Sequence, residues 1–562
     1  EAAASVGNPY LAPTCQNGGI VCPARPALNA RRLVQTIFLP LRSNKSPFHL
    51  EPSVSVYDLL VVGGGINGCG IAAAASARGF SVLLVEQSDL ASATSSASSK
   101  LIHGGLRYLE QSAFRLVRES LIERETLLAK APHLIWPIPF VLPYSRALRP
   151  RWLLRTGLFL YDNLAERRKI PRSRALDLQS EPVGRPLRPE FTSGFEYWDC
   201  WVDDARLVVA NAMAAREAGA TILTRTAVST LQRQDGVWLS RLSKCDGSQD
   251  WVSARALVNA AGPWVAAVDP LSDIPGRRNN RPKVRLVKGS HLVLPRIPGA
   301  DTAYLLQSPG KRVVFVLPFE ERFSIIGTTD VPYDGDPASV CCSDDEDDYL
   351  RDLTGRFFNA PISRSDVLWR YSGVRPLYDD ASADPSAVTR DYRLELSAPP
   401  NQPPRLSVYG GKITTYRALA EQSMHLLCPL LAPDRTCRAP DPLAPLPGGE
   451  LFGGDFDTFL GDFFAGLMRD YPSFEPRHLY RLARRHGSRI TRVLGDARSP
   501  SDMGRHLGEG LYEREVAYLK TEEWARTPQD VLFRRSKLGV HFLATLPNQD
   551  GRRLTDDIAA LL

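Results

Sequence analysis

The sequence predicts an α/β fold in which one sheet collects strands from distant parts of the chain, and three observations point to it. Residues 57–62 form an apolar run that meets the glycine-rich turn Gly63-Gly64-Gly65-Ile66-Asn67-Gly68. A second apolar run, 81–85, follows an alanine-rich stretch and ends at Glu86. Much later, runs at 256–259 and 406–409 end at glycine turns of their own.

Each element has a physical reason. Gly63, Gly65 and Gly68 fit G-x-G-x-x-G: the first permits a tight turn, the second lets backbone approach a pyrophosphate, the third lets the next helix pack on the strand. That helix, expected over 66–78, aims its N-terminal amides at phosphate. Glu86 stands where a carboxylate binds ribose hydroxyls, about twenty residues past the glycines. The serine-rich stretch 91–105 comes next. Its Ser95, Ser96, Ser98 and Ser99 beside Lys100 suit a phosphate and flavin cradle. A ribose acid followed by such a loop, with strands returning at 256–259 and 406–409, suits FAD more than NAD. The expected architecture is a Rossmann-like FAD-binding domain interrupted by a β-rich substrate domain, with a C-terminal helical domain.

Several motifs carry a resemblance. Residues 94–109 (TSSASSKLIHGGLRYL), 199–207 (DCWVDDARL), 324–330 (SIIGTTD), 371–377 (YSGVRPL) and 410–417 (GGKITTYR) resemble the signatures of FAD-dependent, quinone-linked glycerol-3-phosphate dehydrogenases. The match runs in order from about residue 57 almost to the C-terminus. It is closest to the bacterial form, because the calcium-binding helix-loop-helix of the mitochondrial form has no counterpart here. The resemblance implies oxidation of sn-glycerol 3-phosphate to dihydroxyacetone phosphate, with electrons passed to membrane quinone. Expected cofactor contacts are Gly63, Gly65, Asn67, Gly68, Glu86, Ser95, Ser96, Ser99, Lys100, His103, Gly105, Val228, Ala261, Gly262, Gly411, Lys412 and Thr414. An oxygen-using glycerophosphate oxidase, an amine oxidase of the same superfamily, and a non-catalytic FAD-binding adaptor are the alternatives.

The substrate's phosphate needs fixed cations, preferably arginine forks. Arg375 and Arg390 are implied as its ligands, with Arg107 and Tyr108 closing the site. Oxidation of a secondary alcohol also needs a proton acceptor. His291, in a strand-like run, is the preferred base, since imidazole accepts protons near neutral pH. Lys412 is the rival if burial lowers its pKa.

Composition narrows the class further. The chain has 562 residues, 43% hydrophobic and 23% charged, as expected of a large globular enzyme of several domains. Nine cysteines form no C-x-x-C pair and are odd in number, which argues against zinc and a disulfide framework and for a reducing compartment. A net charge of +7 without a recognisable motif gives no ground for a nucleic-acid partner.

The expected division is 1–55 as a basic extension, 56–110, 195–265 and 405–435 as the FAD domain, 111–194 and 266–404 as the substrate domain, and 440–562 as the helical domain. The extension is acid-poor from 2 to 50 and is read as disordered, a transit-peptide remnant being the alternative. Aromatic and leucine residues interleaved with arginines over 136–174 suit an anionic membrane surface. The expected place is therefore peripheral, on the cytoplasmic face of the bacterial inner membrane or alternatively the mitochondrial inner membrane, with a homodimer as a further expectation. The acids at 344–348 lack a calcium loop's spacing and are read as a solvated helix start.

Overall fold

The computed structural model describes residues 56–145, 150–166, 169–268, 284–308, 312–378, 391–434, 436–450, 459–546 and 548–562. The expected extension 1–55, Arg390 and the basic residues Arg146, Arg149, Arg167 and Arg168 lie outside these.

Two sheets organise the described chain. In the first, strand Val56–Val62 lies between Val82–Val85 and Gln249–Asn259, with Thr221–Leu223 and Arg405–Tyr409 beyond them, all parallel. Val82–Val85 is continuously apolar and fully buried, as expected of a strand covered on both faces. Helices Ile66–Ser76, Asp204–Glu217 and Tyr416–Leu431 lie against one another and the sheet. Gly70 of the first helix allows that close approach: a Cβ there would meet the Tyr416 ring at 2.6 Å. Antiparallel hairpin strands Thr226–Gln234 and Val237–Lys244 extend from Gln249–Asn259.

The second sheet has ten strands, mostly antiparallel, with Val284–Pro295 paired along its length to Trp369–Tyr378. Its membership corrects the expected division. Leu101–Ile102 and Ser193–Val202 pair within this sheet, whereas Arg393–Ser397 forms an edge of the first. Periodicity reveals a strand but not its partner, so the sheet to which a strand beside a nucleotide-domain segment belongs is not legible locally. The C-terminal part is helical, including Pro476–His486 and Glu513–Glu522, and has its own core around Leu479, Val493, Val516 and Leu538.

Two local expectations change. The acids at 344–348 do start helix Asp344–Gly355, capped by Ser343 and Glu346, but two of them are not solvated. Glu346 and Asp347 turn inward. Glu346 meets Lys288 at 2.7 Å and accepts from Ser290 and Thr329 hydroxyls, while Asp347 pairs with Arg351 and Arg370. A run of like charges hides which members face a buried cation. Likewise Trp136 and Phe140, grouped with a membrane surface, sit in strand Ile135–Pro143. Phe140 is buried, and Trp136 stacks on Trp201 at 4.2 Å with the Arg484 guanidinium 3.7 Å from its ring centroid.

Candidate active site

The parallel strands end in a cleft of about 670 Å³, lined by Gly63, Gly65, Asn67, Glu86, the loop 91–101, Ala261, Gly262 and Gly410–Thr414. A crevice at the carboxyl ends of such strands is where α/β sheets bind ligands. Gly63 adopts φ +113°, and a Cβ there would lie 2.5 Å from the Ala260 carbonyl oxygen. A Cβ on Gly68 would come within 1.9 Å of the Gly63 oxygen, so the third glycine serves packing. Gly65 differs. A Cβ there would meet only Ser95 Oγ, at 3.1 Å, leaving room for a close-lying group. The expected dinucleotide fits this cradle.

Glu86 closes the turn. Its carboxylate accepts from the Gly64 amide at 2.7 Å and the Ser88 amide at 2.8 Å. Burial raises its pKa, and those two amides oppose the rise. Val228 lines the cleft from the neighbouring hairpin.

The serine loop is held from several directions. Ser95 Oγ accepts from the Ile66 amide at 3.0 Å, and Ser98 Oγ donates to Asp204 at 2.7 Å. Ser96 bonds back to the Ala93 carbonyl, and Ser99 Oγ is hydrogen-bonded to His291 Nε2 at 2.9 Å. Lys100, expected to offer its charge to phosphate, is buried and gives it instead to Asp204, at 2.9 and 3.0 Å. A buried ammonium needs such a partner. Its role is to brace the loop from beneath.

Arg107, Arg375 and Lys412 line the same cleft. Arg375 meets Asp330 at 2.6 Å and donates to Thr328 Oγ1 at 2.9 Å, and Arg107 reaches the same aspartate at 3.7 Å. Lys412 Nζ lies 3.8 Å from the Tyr108 ring centroid. Gly105, at φ +78°, makes room for that ring, which a Cβ would meet at 2.3 Å. Asn67 Nδ2 donates to the Gly410 carbonyl at 3.1 Å, joining the first glycine turn to the last. The His103 amide donates to Thr414 Oγ1 at 3.3 Å, and Gly411 keeps φ +98° beside Asn67.

His291 lies behind the cleft surface. It is buried, stacks on Tyr371 at 4.7 Å, and reaches outward through Ser99. Burial, then the charges of Arg375 and Lys100, hold its pKa well below the ordinary 6.5. The ring is therefore neutral at neutral pH, and the same burial and charges oppose its protonation.

Two structural acids escaped sequence reasoning. Asp199, buried, accepts from Arg124 at 2.7 Å, the Tyr161 hydroxyl at 2.7 Å and the Gly104 amide at 3.2 Å. Asp204 neutralises Lys100. Both stand in the 199–207 motif, but their partners are decided by folding, and only the motif itself could have marked them.

Comparison with known proteins agrees with this geometry. Residues 58–396 match the model for FAD dependent oxidoreductases, and residues 444–560 match that for the C-terminal domain of alpha-glycerophosphate oxidase. The chain is 50% identical over 508 residues to a glycerol-3-phosphate dehydrogenase of Pseudomonas aeruginosa, covering 89% of this chain and 95% of that protein. It is 48% identical to a D-erythritol 1-phosphate dehydrogenase of Brucella abortus, covering 86% and 95%. It is 47% identical to the aerobic glycerol-3-phosphate dehydrogenase of Escherichia coli, covering 86% and 94%. A solved glycerol-3-phosphate dehydrogenase of Bacillus halodurans complexed with FAD superposes with a TM-score of 0.68 at 26% identity, covering 90% of this chain and 94% of that one. The cradle, the two matched family models and these relatives together make the chain a member of the FAD-dependent glycerol-3-phosphate dehydrogenase family.

Proposed function

We propose that the protein oxidises sn-glycerol 3-phosphate at C2 to dihydroxyacetone phosphate and passes the electrons to a membrane quinone. The observation that carries this reading is that Arg107, Arg375 and Lys412 all line the cleft that the glycine turns also line. FAD, when bound, supplies the oxidising power. The chain's residues supply orientation and charge. Arg375 and Arg107, now facing Asp330, offer charge-assisted bonds to a phosphate. Arg390 is the further cation of this reading. Tyr108 and Lys412 close over the polyol.

The C2 hydroxyl proton passes to Ser99 Oγ and from there to neutral His291, which Ser99 connects to the cleft. Lys412 is the competing acceptor.

Contact with an anionic membrane rests on helix Arg151–Asn163. Leu158, Tyr161 and Asp162 face inward, while Trp152 is 69% and Phe159 58% exposed, with Leu153 and Leu160 beside them. An apolar face of this kind inserts at a lipid interface. No helix among the described residues is long and apolar enough to cross a membrane. The cytoplasmic face of the bacterial inner membrane is the proposed location.

A second reading has a specific basis: a D-erythritol 1-phosphate dehydrogenase is 48% identical. Both substrates present the same phosphate to the same arginines. Turnover with a soluble quinone should be compared for the two, with peroxide measured in air. Higher kcat/KM for glycerol 3-phosphate without peroxide supports the proposal. Preference for the four-carbon substrate, or stoichiometric peroxide, would replace it.

A further inference from the structure

The C-terminal domain supplies part of the cofactor cleft. Asp530 and Arg534 line it beside Ser88, Asp89 and Arg225, close to Glu86. Stretch 225–226 holds the turn 86–89, which carries this ribose acid. The Arg225 amide donates to the Ser88 carbonyl at 2.8 Å, and the Thr226 amide to the Glu86 carbonyl at 2.9 Å. Stretch and turn are each clasped by the same distant segment.

Asp89 takes a fork from Arg535, two bonds of 2.8 Å, and a third from Arg534 at 2.6 Å. Asp530 Oδ2 accepts from Arg225 Nη2 at 2.5 Å and from the amides of Arg526 and Thr527 at 2.8 and 2.9 Å. Asp530, Asp89 and Arg535 are buried. Buried ion pairs add little net stability against apolar replacements, but breaking one is costly. Such a network is better suited to fixing positions than to joining two domains, a task that apolar contact performs more cheaply. Its placement is specific, because both clasped stretches flank the ribose acid.

We propose that segment 526–535 of the C-terminal domain is a positioning part of the FAD site. Through Asp530–Arg225 and Arg535–Asp89 it fixes the Glu86 turn and so sets how long the cofactor stays bound.

The test is the rate of FAD release from the holoenzyme on dilution, followed by the rise of free-flavin fluorescence. Arg225→Gln, Asp530→Asn and the double variant form a cycle, with Arg225→Lys as the conservative change. Release should quicken about tenfold in each single variant, with no further increase in the double and a smaller effect for Arg225→Lys. Should Asp530→Asn fail to fold, the comparison of Arg225→Gln with Arg225→Lys decides. Release at the parent rate in Arg225→Gln, or equal acceleration by Gln and Lys, would overturn the proposal. So would fully additive effects in the double variant.

Discussion

Gly65 and Glu86 mark what single residues disclosed in advance. Their expected roles follow from spacing alone, and in the structure a Cβ on Gly65 would meet only Ser95 Oγ while Glu86 binds the Gly64 amide at the strand end. A valine side chain at Gly65 would occupy that space, so Gly65→Val should purify almost without flavin. Absorbance at the flavin bands checks this, and Glu86→Ala should show the smaller loss. Lys100 shows the limit. Its position beside the serines suggested a phosphate ligand, yet Asp204 holds its charge. Local sequence does not reveal a partner more than one hundred residues away. The substrate residues separate kinetically. Arg375→Ala should raise KM by roughly a hundredfold and leave FAD content intact. His291→Ala should instead slow flavin reduction at saturating substrate by roughly 10²–10⁴-fold. A parent rate of reduction in His291→Ala moves the proton to Lys412 or water.

At the scale of elements, the glycine turns, the alanine-rich first helix and the C-terminal helices were legible because their signals are local. The fate of the arginine-rich segment was not. Its strand is sheet interior, whereas helix Arg151–Asn163 combines a buried Tyr161 bonded to Asp199 with an exposed aromatic edge. Both parts are apolar, and only packing separates them. Replacing Trp152 and Phe159 by serine should weaken binding to anionic vesicles in a sedimentation assay. Neutralising Arg151 and Arg155 should cost a further amount of about 1 kcal/mol per cation near the surface. Turnover with a soluble dye should survive in both. Unchanged vesicle binding would assign this face to another partner, a second copy of the chain included.

For the whole molecule, the parallel sheet could be anticipated from returning apolar strands. The second sheet could not, because its ten strands come from distant segments, Ala303 pairing with Phe140 and Tyr304 with Val141. The site forms where the two meet. The first sheet presents the glycine turns, and the second brings Arg375, Thr328 and His291 against the serine loop. That assembly predicts a polyol-phosphate oxidation driven by flavin. Anaerobic rapid mixing of the holoenzyme with sn-glycerol 3-phosphate, while flavin absorbance is recorded, tests it most directly. The flavin should bleach in a substrate-dependent phase that glycerol alone does not produce, and dihydroxyacetone phosphate should form in equal amount. A flavin that stays oxidised with saturating glycerol 3-phosphate would contradict the account.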